Sequence, residues 1–160
     1  MTSLKKVLQK KKYIQIKLKK TATNHLEIKA KINDVKGRFI LDTGASNSCV
    51  GIDLIDYFKL HAEESETKAA GAGATDMETL KSENNLLEIG KWKKDSCNLV
   101  LFDLTHVNTA LKQHNVKEVH GIIGADVLEK SKAIIDYRKM VLYLRKPKKN
   151  REKKVDHVPF

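Results

Sequence analysis

The sequence predicts a mainly β domain, a closed barrel with a few short helices. Three observations point there. Apolar and polar residues alternate at period two in several short runs. Turn-forming pairs such as Asn33-Asp34, Gly90-Lys91 and Arg138-Lys139 recur at close intervals. Helical spacing is confined to brief stretches, and many short strands with brief helices bury their apolar faces best by closing on themselves.

Taken in order, Tyr13 to Lys19 alternates as a strand with one dry face, a candidate edge strand. Leu26 to Ile32 alternates again, turns at Asn33-Asp34 and returns through Gly37 to Leu41, which predicts a hairpin whose second arm ends on Asp42. Ile52 to Phe58 has helical spacing. Residues 69–74, Ala-Ala-Gly-Ala-Gly-Ala, form a small flexible tip whose polar flanks, 65–68 and 75–81, can pair as hairpin arms. Leu86 to Ile89 and Cys97 to Phe102 read as strands about the Gly90-Lys91 turn. Residues 104–115 are helical in spacing, and Gly121-Ile122-Ile123-Gly124 leads into a short helix to Lys130. Two closing strands, Ala133 to Tyr137 and Met140 to Leu144, complete the chain's structured part.

The chain has 160 residues, 41% of them hydrophobic, enough for one compact domain. Its net charge of +11 is carried by the two ends. Residues 1–20 hold +8 and residues 145–160 hold +5, whereas 21–144 carries −2. The organisation expected is a basic N-terminal extension, a domain over 21–144 and a basic C-terminal tail. The ends are read as solvated, partly disordered extensions, and nucleic acid or an anionic membrane as their partner is the lesser expectation, since no aromatic residues interleave the C-terminal Lys run. No apolar run is long enough to span a bilayer and no signal peptide is visible, so a cytoplasmic location is expected. Two cysteines, Cys49 and Cys97, are too few for a disulfide framework, and both are expected as buried free thiols.

The chemistry gathers at residues 39–50, FILDTGASNSCV. An apolar run delivers a carboxylate, Asp42, into a Thr-Gly turn, and burial of a lone carboxylate must be met by hydrogen bonding or pairing. Gly44 permits close backbone approach and offers an unhindered N–H. A second apolar pair ending in Gly, Ile122-Ile123-Gly124, lies about 80 residues downstream. Rival clusters carry less. His106, His114 and His120 with Asp103 fit no compact metal motif, so they are read as surface histidines with no metal. Gly71-Ala72-Gly73 lacks the Lys-Ser/Thr of a phosphate loop. Trp92, among Lys91, Lys93 and Lys94, is expected to cover the core edge rather than stack a base. Asp136 and Tyr137 are expected in a structural hydrogen-bonding role.

Phe-Ile-Leu-Asp-Thr-Gly-Ala-Ser together with Gly-Ile-Ile-Gly-Ala-Asp-Val-Leu resembles the retropepsin-like (retroviral-type) aspartic proteases, in particular their bacterial members, from about Leu26 to Leu144. The resemblance implies a barrel with one lobe per chain. It implies Asp42 as the catalytic aspartate of a peptide-hydrolysing enzyme and Thr43 as the residue that interlocks two active-site loops. It places Gly44 beside the substrate and Ile122, Ile123 and Gly124 beneath the loop. Ala45, Ser46, Asn47, Gly71 and Gly73 become substrate-binding positions, the last two on a flap hairpin. Retroviral members often carry an acid where Ser46 stands and an Arg where Ala125 stands, and this chain has neither. The chemistry needs two carboxyls sharing one proton, yet Asp-Thr-Gly occurs once. The resemblance therefore implies a homodimer in which each chain supplies Asp42, with a peptide or protein substrate and no cofactor. The alternative is a catalytically weak peptide-binding or dimerisation module of the same fold.

Overall fold

In the computed structural model the described residues are 3–65, 69–71 and 74–148, with the backbone path alone described for 69–71 and 74–77. The tip residue Gly73 and most of the basic C-terminal tail lie outside them. The elements in chain order are α1 (Leu4–Lys10), β1 (Tyr13–Lys17), β2 (Lys19–Lys20), β3 (Leu26–Ile32), β4 (Val35–Leu41), β5 (Cys49–Gly51), a 3₁₀ turn (Ile52–Leu54), β6 (Glu63–Glu64), β7 (Ala69–Gly71), β8 (Ala74–Met77), β9 (Leu80–Ile89), β10 (Trp92–Phe102), α2 (Thr105–Gln113), β11 (Gly121–Ile123), α3 (Ala125–Lys130), β12 (Ile134–Asp136) and β13 (Val141–Arg145).

The barrel closes through six strands. Around the ring they run β3, β4, β11, β5, β10 and β9, and β9 returns to β3 through Lys31 opposite Glu88 and Ile32 opposite Leu87. The β3–β4 turn explains the sharp reversal there. Asn33 at φ 50° and Asp34 at φ 68° supply the left-handed pair that a two-residue hairpin requires, and Asn and Asp tolerate it best after Gly. Asn33 also staples the closure: its Nδ2 donates to Phe58 O and Asn85 Oδ1, and its Oδ1 accepts from Leu86 N. Inside the ring lie Ile28, Ile32, Phe39, Val50, Leu87, Leu101 and Ile123, all buried. Trp92 closes the core edge as expected, buried, with its Nε1 donating to Arg145 O at 3.1 Å.

β9 and β10 are longer than the alternation predicts. Polar Ser82 and Asn85 point inward on β9, which breaks the period-two signal, but they satisfy each other. Asn85 Nδ2 donates to Ser82 Oγ, Ser82 O and Cys97 O.

A second, three-stranded sheet runs β1, β13, β12, with the apolar β13 in the middle. The N-terminal basic stretch is more than a solvated extension. Ser3 Oγ caps α1 by accepting from Lys6 N, and Leu8 is buried against Val141 and Tyr143. The Lys residues occupy the outer face, so charge obscured a helix with a single dry contact. Among the described residues no helix is long and apolar enough to cross a membrane.

Candidate functional site

Strands β4 and β5 flank the Asp42 loop in sequence but are not neighbours in the sheet. β11 lies between them, parallel to β4 (Ile123 opposite Leu41) and antiparallel to β5 (Ile122 opposite Cys49). The loop 42–48 must therefore pass over the end of β11, and this brings Ile122, Ile123 and Gly124 beneath it. Asp42 N donates to Ile123 O at 2.9 Å, and Ala125 N donates to Ala45 O at 2.7 Å. These two backbone bonds tie the loop to β11 and to the start of α3.

Two glycines allow this proximity. A Cβ on Gly121 would lie 2.1 Å from Cys49 O, and one on Gly124 would lie 2.5 Å from Ala45 O. Both distances are far inside contact, so only Gly fits without moving the backbone.

Ser48 and Asp126 complete the brace, and sequence reading assigned neither a role. Ser48 is fully buried. Its N donates to both Asp126 carboxylate oxygens at 3.0 Å, its Oγ donates to Asp126 Oδ1 at 2.7 Å, and the same Oγ accepts from Gly124 N at 2.9 Å. One side chain from the end of the loop and one from the first turn of α3 thereby lock the loop to the helix. The available signal was a small polar residue at the mouth of a buried strand, matched by an acid two residues after Gly124. The positions at which the resemblance leads one to look for an acid and an Arg hold Ser46 and Ala125, and the loop is braced by the buried Ser48 hydroxyl and the half-buried Asp126 carboxylate.

Above the brace, Asp42, Thr43, Gly44, Ser46 and Asn47 are exposed, and Ala45 is half-buried. Asp42 Oδ1 accepts from Gly44 N at 2.9 Å, so the turn presents the carboxylate to solvent in one orientation. Beneath it the Cys49 thiol is pushed up to about 12, by burial first and then by the charges of Asp126 and Asp42, against a backbone bond involving Ile122. Cys97 is likewise buried and pushed up to about 11. Both cysteines are protonated, unpaired thiols at neutral pH, so a cysteine nucleophile has no support.

Gly71 lies on β7, which pairs with β8 in a two-stranded hairpin separate from both sheets. The histidines divide. His106 and His114 are exposed, whereas His120 is half-buried, stacks on Tyr57 and accepts from Arg38 N through Nδ1. Burial, and then the Arg38 charge, hold its imidazole below its ordinary value. Among the described residues no group of three or more His, Cys, Asp or Glu side chains is placed to hold a metal ion. Asp136 takes a structural part as expected, accepting from Arg138 N and Lys139 N in the turn before β13.

The aspartyl protease family profile matches residues 28–127, which span both the Asp42 loop and the β11–α3 brace. No curated protein matches the chain. Solved structures of similar fold include a retropepsin-like aspartic protease from Rickettsia conorii, 21% identical over 82% of this chain and 89% of that one, with a TM-score of 0.54. EIAV protease complexed with the inhibitor HBY-793 is 18% identical over 72% of this chain and 96% of that one, also at a TM-score of 0.54. The retroviral protease-like domain of Ddi1 from Leishmania major is 14% identical over 80% of this chain and 98% of that one, at 0.52. With the matched profile covering most of the barrel, this chain belongs to the aspartyl protease family and has the retropepsin-like fold.

Proposed function

We propose that the chain is an aspartic endopeptidase that works as a homodimer, Asp42 of each protomer meeting its copy across a two-fold axis. The observation that carries this reading is a solvent-facing carboxylate, oriented by Gly44 N, on a loop that β11 and α3 hold rigid from below. A family Asp on so braced a turn fits chemistry that demands fixed geometry. One carboxylate takes a proton from water while its protonated partner donates to the scissile carbonyl oxygen. One chain holds one such Asp, so the dyad needs two chains.

Within this reading Thr43 interlocks the two loops, Gly44 to Asn47 line the substrate's path, and Ile122 to Gly124 support the loop. The β7–β8 hairpin carries Gly71 over the bound peptide. β1 and β12, the outer strands of the three-stranded sheet, each have one edge unpaired among the described residues, and such edges join copies through backbone bonds.

The test is digestion of a peptide library by the full chain and by Asp42→Asn, from acidic to neutral pH. The wild type should cleave. The variant should lose at least about 10²-fold in kcat, the scale of lost general acid–base catalysis, while keeping its circular dichroism and its dimer in sedimentation. Equal cleavage by the variant, or full activity in a monomer, would defeat the proposal.

A further inference from the structure

The excess positive charge, which lies at the two ends of the chain, is gathered by the fold around one sheet. Residues 3–20 and 132–148 hold fourteen Lys or Arg and a single acid, Asp136. Both stretches build the β1–β13–β12 sheet. At one end of it Tyr13 pairs with Arg145, Lys146 N donates to Lys12 O at 2.9 Å, and Tyr13 Oη donates to Lys132 O at 2.9 Å. At the other end Leu18 N donates to Met140 O at 2.9 Å, which brings the backbone of Lys17 and Lys19 to the Arg138-Lys139 turn. Apart from half-buried Arg145, all fourteen are exposed, and none forms an ion pair among the described residues. Asp136 is already engaged, accepting from Arg138 N and Lys139 N.

The same region carries uncovered apolar surface. Leu4, Val7 and Leu8 share one stripe of α1 by their i, i+3 and i+4 spacing, yet only Leu8 is buried. Leu8 packs on Val141, the first residue after the β12–β13 turn that carries Tyr137. Leu4 is 48% exposed, Val7 39% and Tyr137 69%. The other exposed large hydrophobic among the described residues, Tyr57, is accounted for: its hydroxyl donates to Lys36 O and its ring stacks on His120. Leu4 and Val7 have no such explanation, and Lys5, Lys6 and Lys10 cover the rest of their helix.

Exposed apolar side chains set among uncompensated cations match the interface of an anionic bilayer. Headgroup phosphates attract the cations, and the apolar tips gain by entering the acyl boundary. A second copy of this face would meet it with like charge. Nucleic acid would supply phosphates but no apolar phase for Leu4 and Val7 to enter. We propose that α1, with the basic turns that flank the β1–β13–β12 sheet, docks the protein on a membrane surface rich in anionic lipid. The proposal is independent of the endopeptidase reading, since it concerns where the domain is held and not what it cleaves.

The full chain is mixed with phosphatidylcholine vesicles containing about 30 mol% phosphatidylglycerol, or none, in about 0.1 M salt, and co-sedimentation is measured. Binding is expected to the anionic vesicles alone, and it should fall in about 0.5 M salt, where charges are screened over about 4–5 Å. Lys5→Gln/Lys6→Gln/Lys10→Gln should weaken it about 10²-fold, about fivefold for each cation at the surface. Leu4→Ser/Val7→Ser keeps the charge and should weaken it about tenfold through lost apolar contact. All five positions are exposed, and circular dichroism with Tm checks that each variant stays folded. The same proteins are titrated against a labelled DNA duplex by anisotropy, and their oligomeric state is read by sedimentation. No vesicle binding, equal binding to neutral vesicles, or binding unmoved by the lysine variant overturns the proposal. Vesicle binding unmoved in Leu4→Ser/Val7→Ser also overturns it, in favour of nucleic acid where the duplex is bound more tightly than the vesicles, and of a second copy where that variant loses its dimer.

Discussion

Replacing Ser48 by Ala tests whether the loop is held by this one hydroxyl. The Oγ makes two bonds, donating to Asp126 Oδ1 at 2.7 Å and accepting from Gly124 N at 2.9 Å. The first is charge-assisted and contributes about 1.5–3 kcal/mol. Loss of the second leaves a buried N–H without a partner, a cost of about 1–3 kcal/mol. The Ser48 N–H stays on the carboxylate, so Asp126 is not stripped, and the two losses overlap. A net destabilisation of about 2–4 kcal/mol follows, or roughly 5–15 °C in Tm for a domain of this size. Urea and thermal unfolding followed by circular dichroism, at matched protomer concentration, would measure it. Ser46→Ala, two residues away on the exposed side of the same loop, is the control and should stay within about 0.5 kcal/mol. A Ser48→Ala variant as stable as that control would refute the brace.

Other outcomes follow from the same geometry. Gly124→Ala puts a methyl 2.5 Å from Ala45 O and should cost about 1–3 kcal/mol and most peptide cleavage, read by urea unfolding and a peptide assay; a fully active, unshifted variant would contradict the close approach. Leu8→Ala should cost about 2–3 kcal/mol in the same unfolding measurement, because Leu8 is buried against β13; a change under about 0.5 kcal/mol would return α1 to the status of a loose extension. Cys49, raised to about 12 from an ordinary value of 9.0, contributes stability that is present below pH 9 and lost as pH rises toward 12, since the unfolded thiol ionises first. Unfolding free energy should therefore fall more steeply above pH 9 in the wild type than in Cys49→Ala, and parallel curves would refute the burial effect.

The hairpin ending on Asp42 and the apolar pair at Ile122-Ile123 were legible because each is a local pattern with a local cause. Alternation marks a sheet face and Asn33-Asp34 marks its turn. What escaped was non-local. Ser82 and Asn85 face inward on β9 because they bond each other and Asn85 also donates to Cys97 O, and no period-two reading anticipates two satisfied polar residues in a core. α1 was obscured by its own lysines: with Leu8 as its one buried residue, it becomes visible only once β13 supplies the surface.

The Asp42 loop shows the same division inside the site. Asp42, Thr43 and Gly44 could be read from three adjacent letters, whereas Ser48 and Asp126 stand 78 residues apart and acquire meaning only when β11 passes between β4 and β5. The absence of an acid at 46 and an Arg at 125 looked like a lost support. The structure has a support of another kind there, the buried Ser48 hydroxyl bonded directly to the half-buried Asp126 carboxylate, with the Ser48 and Gly124 N–H groups joined to the same pair. That arrangement has a consequence for the surface: Asp126 is turned to Ser48, and Thr43 to Asn47 are all neutral, so the loop sets no charge of its own beside the exposed Asp42 carboxylate.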